Sequence, residues 1–208
     1  MQNFSTLSHN EKISYLRGSH SSNITLPPTY FEPLLIAFDT EVDDVSFWTL
    51  TILIYQFAQR MHDNQQEVVP LLVKKLTYTK SSAVLDRVFW ALTITSETSI
   101  PYLLNEVQNT ANQTLKIRAC WTFYRNNFVN AHLLEVLDYL SKVVVDTDRE
   151  LRRVAFYAII ALLGQENIVS FDKQLIKTAI QQAFEEVMAI TEEEYEKKRY
   201  IVFYNSLG

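Results

Sequence analysis

The feature that most constrains this chain is a repeat. Val69-Pro70-Leu71-Leu72-Val73-Lys74-Lys75-Leu76 returns 31 residues later as Ile100-Pro101-Tyr102-Leu103-Leu104-Asn105-Glu106-Val107. The segment after each copy keeps that offset, so Asp86-Arg87-Val88-Phe89-Trp90 lies over Ile117-Arg118-Ala119-Cys120-Trp121. Leu151-Arg152 follows Ile117-Arg118 by 34 residues, and Glu32-Pro33-Leu34-Leu35 sets Pro33 37 residues before Pro70. Inside these blocks the apolar residues fall at helical spacing, as in Leu151, Val154, Ala155, Ala158, Ile159 and Leu162, or Leu133, Leu134, Leu137, Leu140 and Val144. No long segment alternates with period two. Proline early in a helix is tolerated because that N–H has no intrahelical acceptor.

Two helices per repeat of this length predict an α-solenoid. The spacing places helix pairs at about 29–61, 66–95, 98–126, 130–164 and 171–207. The expected fold is all-α: a right-handed solenoid of about five antiparallel helix pairs with a short N-terminal helix. It is read as a single domain over 1–208, with 1–28 an N-terminal helix and loop and 29–207 the repeats. The one longer irregular stretch is expected at Gly18 to Pro28.

Only three glycines occur, where average usage of about 7% would give roughly fourteen. That scarcity argues against a β-rich fold and against glycine-shaped catalytic loops. Asn, Asp, Ser and Thr are therefore left to make the turns. Acids outnumber bases 24 to 19, for a net charge of −5. A phosphate-neutralising surface normally needs a basic surplus, so nucleic acid is not the expected partner. Complementarity points to a basic one. The single cysteine, Cys120, excludes an internal disulfide and fits a reducing compartment. The start Met1-Gln2-Asn3-Phe4-Ser5-Thr6 has no signal-peptide pattern, and the apolar runs Phe47 to Ala58 and Val154 to Leu163 are too short to span a bilayer. A cytoplasmic protein with no membrane contact is expected.

Asp148-Arg149-Glu150-Leu151-Arg152-Arg153-Val154-Ala155, continued by Ala158-Ile159 and closed by Gly164, resembles the second helix of a HEAT repeat. That helix reads roughly Asp-x-x-Val-Arg-x-x-Ala-x-x-Ala-Leu and then Gly. At Ile117-Arg118 the match is partial, with Trp121 and Tyr124 in place of the two alanines. It weakens at Asp86-Arg87. The resemblance implies a HEAT-like solenoid whose second helices line a concave face. It also implies that the motif arginines, Arg118 and Arg152, make a polar ladder between repeats. HEAT-like proteins serve as scaffolds, adaptors, inhibitors and occasionally enzymes, so the fold does not choose among functions.

No catalytic signature can be written with these residues. P-loop, G-x-G-x-x-G and G-x-S-x-G patterns are absent. His9, His20, His62 and His132 have no second ligand at metal spacing, so neither a metal nor a cofactor is expected. Cys120 reads as a buried small hydrophobe. The acids cluster twice, at Asp39, Glu41, Asp43 and Asp44 and again at Glu185 to Glu196. Helix-terminal electrostatics explain both. Thr191 with Glu194 reads as a capping box, and Glu193 and Glu194 can pair with Lys197 and Lys198. The first cluster doubles as a candidate docking patch for a basic partner.

The tryptophans carry the sharper expectation. Trp48 and Tyr55 share one helix face with Asp44, and Trp90 shares one with Asp86. Trp121 borders the polar face of Arg118. Trp48, Tyr55, Asp86, Arg87, Trp90, Arg118, Trp121 and Arg152 would together line a binding groove, since Trp and Arg anchor interfaces. The alternative is that Trp90 and Trp121 pack in the core, leaving Trp48 the best candidate for exposure. The function read from these residues is a non-enzymatic protein-binding module. Within that class it is a small bacterial immunity protein that neutralises a basic toxin domain. The alternatives are a HEAT-like DNA glycosylase and a bilin lyase or chaperone.

Overall fold

The computed structural model describes residues 4–165, 168 and 170–205, of which 170, 171 and 203 are described by their backbone. Among these residues there are eleven α-helices and no strand. The helices are α1 (His9–Ser21), α2 (Phe31–Thr40), α3 (Asp43–Asp63), α4 (Gln65–Tyr78), α5 (Ser82–Thr95), α6 (Ser99–Gln108), α7 (Gln113–Arg125), α8 (Leu133–Val143), α9 (Arg149–Leu163), α10 (Ser170–Ile190) and α11 (Glu194–Asn205). The five expected pairs are thus α2/α3, α4/α5, α6/α7, α8/α9 and α10/α11, preceded by α1. The fold is an all-α helical repeat, in two compact units, residues 1–99 and 100–208.

The chemistry of the chain sets the helix ends. Ser81, Asn112 and Asp148 each accept a hydrogen bond from the backbone N–H three residues on, at 3.3, 3.1 and 2.8 Å. Ser8 and Glu11 form a capping box at α1. Thr191 does not form the one expected of it. Its N–H bonds the carbonyl of Val187, so it completes α10, and the first free N–H groups of α11 turn to Glu193. The Thr191 hydroxyl is buried without a partner. The irregular stretch is also shorter than expected, because α1 runs through Gly18 to Ser21. Asn23, at φ 51°, then turns the chain in the left-handed region. Gln56 holds this loop by accepting from Leu26 N at 2.9 Å and donating to Ile24 O at 3.0 Å. Pro70 lies in the sixth position of α4, past the first turn.

In unit 1, α3 packs on α1, α2 and α5, while α4 packs on α5 and α2. This is the stacking expected when each pair buries its apolar stripe on the next. Leu34, Phe38, Leu50, Leu53, Leu72, Leu76, Val88 and Leu92 are all buried. So is Lys75, at 1% exposure. Its ammonium donates to Phe38 O at 2.8 Å and lies 3.4 Å from Glu41 O, at the C-terminal end of α2. The rings of Phe38 and Tyr78 stand 5.2 and 5.0 Å away. A cation at this end meets the negative pole of the helix, while burial pulls the Lys75 pKa down.

In unit 2, α9 packs on α7, α8 and α10, and α10 on α8 and α11. Cys120 is fully buried there, and burial pushes its thiol pKa up. Gly164 closes α9 at φ −79°, an ordinary right-handed value, so it uses none of glycine's extra freedom.

Candidate functional site

The aromatic residues of unit 1 form a continuous strip across α1, α3 and α5. His20 on α1 sits 6.0 Å from the Trp48 ring and 5.1 Å from Tyr55. Trp48 meets Phe47 edge-on at 5.2 Å, and Tyr55 meets Trp90 edge-on at 5.3 Å. These are favourable quadrupole geometries. Arg87 closes the strip, its guanidinium carbon 5.2 Å from Phe47 and 5.3 Å from Trp90. Tyr55 is 56% exposed and Trp90 37%. Trp48 is half-buried rather than open, with the His20 and Phe47 rings beside it. Trp90, not Trp48, is therefore the tryptophan this unit presents most. Asp44 and Asp86 are exposed on the same helices. His20 and Phe47 were not among the residues singled out from sequence. No local pattern ties His20 to Trp48, and only the packing of α1 on α3 joins them.

In the acidic turn between α2 and α3, three of the four carboxylates have partners within the chain, two of them cations. Asp39 pairs with Lys74 at 2.7 Å, Glu41 with Lys12, and Asp43 accepts from the Thr79 hydroxyl at 2.6 Å. Asp44 keeps its exposure. A shallow cavity of about 350 Å³ lies beside this turn, bordered by Val42, Tyr78, Thr79 and Lys80.

In unit 2, Trp121 and Tyr124 of α7 form a triad with Tyr157 of α9, with centroids 5.7 to 5.9 Å apart. Arg125 lies over Trp121 and Tyr124 at 5.3 and 5.5 Å. Trp121 and Tyr157 also wall a cavity of about 250 Å³, shared with Arg153, Val154 and Arg199. Arg118 is half-buried on α7. Arg152 turns inward instead, only 14% exposed. It donates to Asp146 O at 2.9 Å and Thr147 O at 3.2 Å, and reaches Glu196 at 3.8 Å. It therefore braces the α8–α9 turn and contributes little open surface. Glu193 pairs with Arg149 at 2.9 Å rather than with Lys197.

Among the described residues no group of three or more His, Cys, Asp and Glu could hold a metal ion, and no helix is long and apolar enough to cross a membrane.

No protein-family model and no curated protein matches the chain. Among solved structures it is similar to a designed armadillo repeat protein, YIII(Dq.V1)4CPAF, in complex with the peptide (KR)4. The identity is 20% and the TM-score 0.49, over 97% of this chain and 88% of that one.

Proposed function

We propose that this chain is a non-catalytic, HEAT-like binding module that recognises another protein through the aromatic strip of unit 1. The observation that carries the reading is the unbroken run of His20, Trp48, Tyr55 and Trp90, with Arg87 held between Phe47 and Trp90. Isolated exposed aromatics are ordinary on a protein surface. A connected strip flanked by arginine has the composition of an interface centre. The exposed Asp44 and Asp86, with a net charge of −5, favour a basic partner, since complementary charge raises the association rate. A cytoplasmic bacterial immunity protein that neutralises a basic toxin domain fits this combination.

The test is co-purification and calorimetry with the product of the adjacent gene. Tyr55→Ala, which removes the most exposed ring, should weaken binding by roughly 30-fold or more, the mark of a hot spot above about 2 kcal/mol. Its helical CD and melting should stay close to those of the parent. A double Tyr55→Ala, Trp90→Ala variant that binds as tightly as the parent would refute the assignment of this face.

A further inference from the structure

The cavity between α7, α9 and α11 is lined by two arginines that no described carboxylate pairs with. Arg153 and Arg199 are half-buried along its wall, yet neither makes an ion pair or hydrogen bond among the described residues. Lys198 is likewise unpaired and borders an adjoining cavity of about 250 Å³ that shares Arg199. The sequence offers acids that could satisfy them. Glu150 stands three residues before Arg153, and Glu196 three before Arg199, at the spacing that pairs charges on a helix. Glu196 is instead turned inward, its side chain 5% exposed, and accepts from Arg149 at 2.5 Å. Glu150 is exposed and makes no ion pair among the described residues. Partly burying guanidinium groups without a counter-charge costs desolvation energy, and no ion pair among the described residues offsets it here. In a chain with more acids than bases, this vacancy is a local arrangement and not a shortage of carboxylates.

The walls say what would restore the balance. Trp121 and Tyr157 are flat, and they stand 5.9 Å apart at 45°. Val154 completes the apolar side. Such rings accept a planar ligand by stacking. At about 250 Å³ the space exceeds the roughly 150 Å³ that takes a benzene ring, so it has room for a ring and a head group. Two guanidiniums are matched by two negative charges. A phosphate monoester carries about −1.5 to −2 at neutral pH, and its oxygens fit the guanidinium fork. A single carboxylate would leave one cation unpaired.

We infer that the Trp121–Tyr157–Arg153–Arg199 cavity is a binding site for a phosphate monoester carried on a planar ring. Such a group can arrive as a free mononucleotide or as a phosphotyrosine side chain. The site is built from unit 2 residues alone and does not rest on the function proposed for unit 1.

Titration calorimetry on the full chain, with adenosine 5′-monophosphate, O-phosphotyrosine, adenosine and inorganic phosphate as probes, decides the matter. At least one of the two monoesters should bind tenfold or more tightly than adenosine and than phosphate. The tighter monoester identifies the source. Arg153→Gln and Arg199→Gln should each weaken that binding tenfold or more. Arg125→Gln, beside the same rings but outside the cavity, should leave it unchanged. Affinity should also fall as pH drops below about 6, where the monoester takes up its second proton. Both glutamine variants must keep the parent melting temperature. The inference is overturned if neither monoester binds more tightly than about 1 mM, or if the two arginine variants bind as the parent does. Tyr55→Ala should not change monoester affinity, so failure here is distinct from failure of the unit 1 reading.

Discussion

Lys75→Met tests whether a buried cation stabilises the first two helix pairs or is merely tolerated there. The substitution keeps most of the side-chain length and removes the charge. What is lost is the charged hydrogen bond to Phe38 O at 2.8 Å, worth about 1.5–3 kcal/mol. Also lost are the contacts over the Phe38 and Tyr78 rings, about 1 kcal/mol each at a partly desolvated site. What is recovered is the cost of burying the ammonium, several kcal/mol. Phe38 O is not wholly abandoned, since the Ser46 hydroxyl still donates to it at 3.2 Å. Against a recovery of about 3 kcal/mol, the balance is a loss of about 0.5–2 kcal/mol. For a unit of this size that lowers the melting temperature by roughly 4–8 °C per kcal/mol if unit 1 melts on its own.

The pH dependence checks the same account independently. Burial depresses the Lys75 pKa, so the folded chain releases this proton before the unfolded chain does. In the window below the ordinary lysine value of about 10.4, the unfolded state binds more protons. Parent stability relative to Lys75→Met must therefore rise with pH there. Urea titrations of both proteins at several pH values between neutral and that limit measure the difference. A Lys75→Met chain as stable as the parent at neutral pH, or a difference that shrinks as pH rises, would refute the reasoning.

Glu196→Gln should destabilise unit 2 by about 1–3 kcal/mol, because the buried carboxylate holds both Arg149 and Arg152; a melting curve coincident with the parent would contradict this. Cys120, buried and with its thiol pKa raised, should resist Ellman's reagent in the native chain and react at once in denaturant. Complete labelling within seconds under native conditions would show that the site opens. Burial raises the pKa of Tyr139, of Tyr200 and of Tyr15, the last to about 12. Unfolded tyrosines ionise first, so the stability these groups supply is intact below about pH 10 and falls as pH climbs above it, for Tyr15 through about 12. Melting followed across that range, with tyrosinate absorbance at 295 nm, should show the decline, and a flat profile would not fit.

The helix pairs were legible because apolar periodicity and the 31-residue offset report the same thing, namely which face of each helix must leave water. Their ends were less so. Ser and Thr before an acid signal an N-cap, yet Thr191 belongs to the helix before it, and backbone hydrogen bonding alone distinguishes the two cases. Lys75 carries a charge, which by itself places a side chain in water. The available clue was its spacing, three residues after Leu72 and seven after Val68, on the stripe that goes inside.

The charged residues show why the binding sites were harder to read than the fold. Net charge is a sum, and a ligand meets only the local remainder. The turn holding Asp39, Glu41 and Asp43 looks acidic in sequence, but Lys74, Lys12 and the Thr79 hydroxyl answer those carboxylates one by one. The segment around Glu192 to Glu196 looks acidic too, yet it leads into α11, where Lys198 and Arg199 make no ion pair among the described residues. Pairing follows from which helix faces which, and that depends on packing tens of residues away in sequence, as with Arg149 and Glu196. A chain that is acidic overall can therefore present a cationic cavity in one unit. Each surface must be judged by the charges that folding leaves unanswered there.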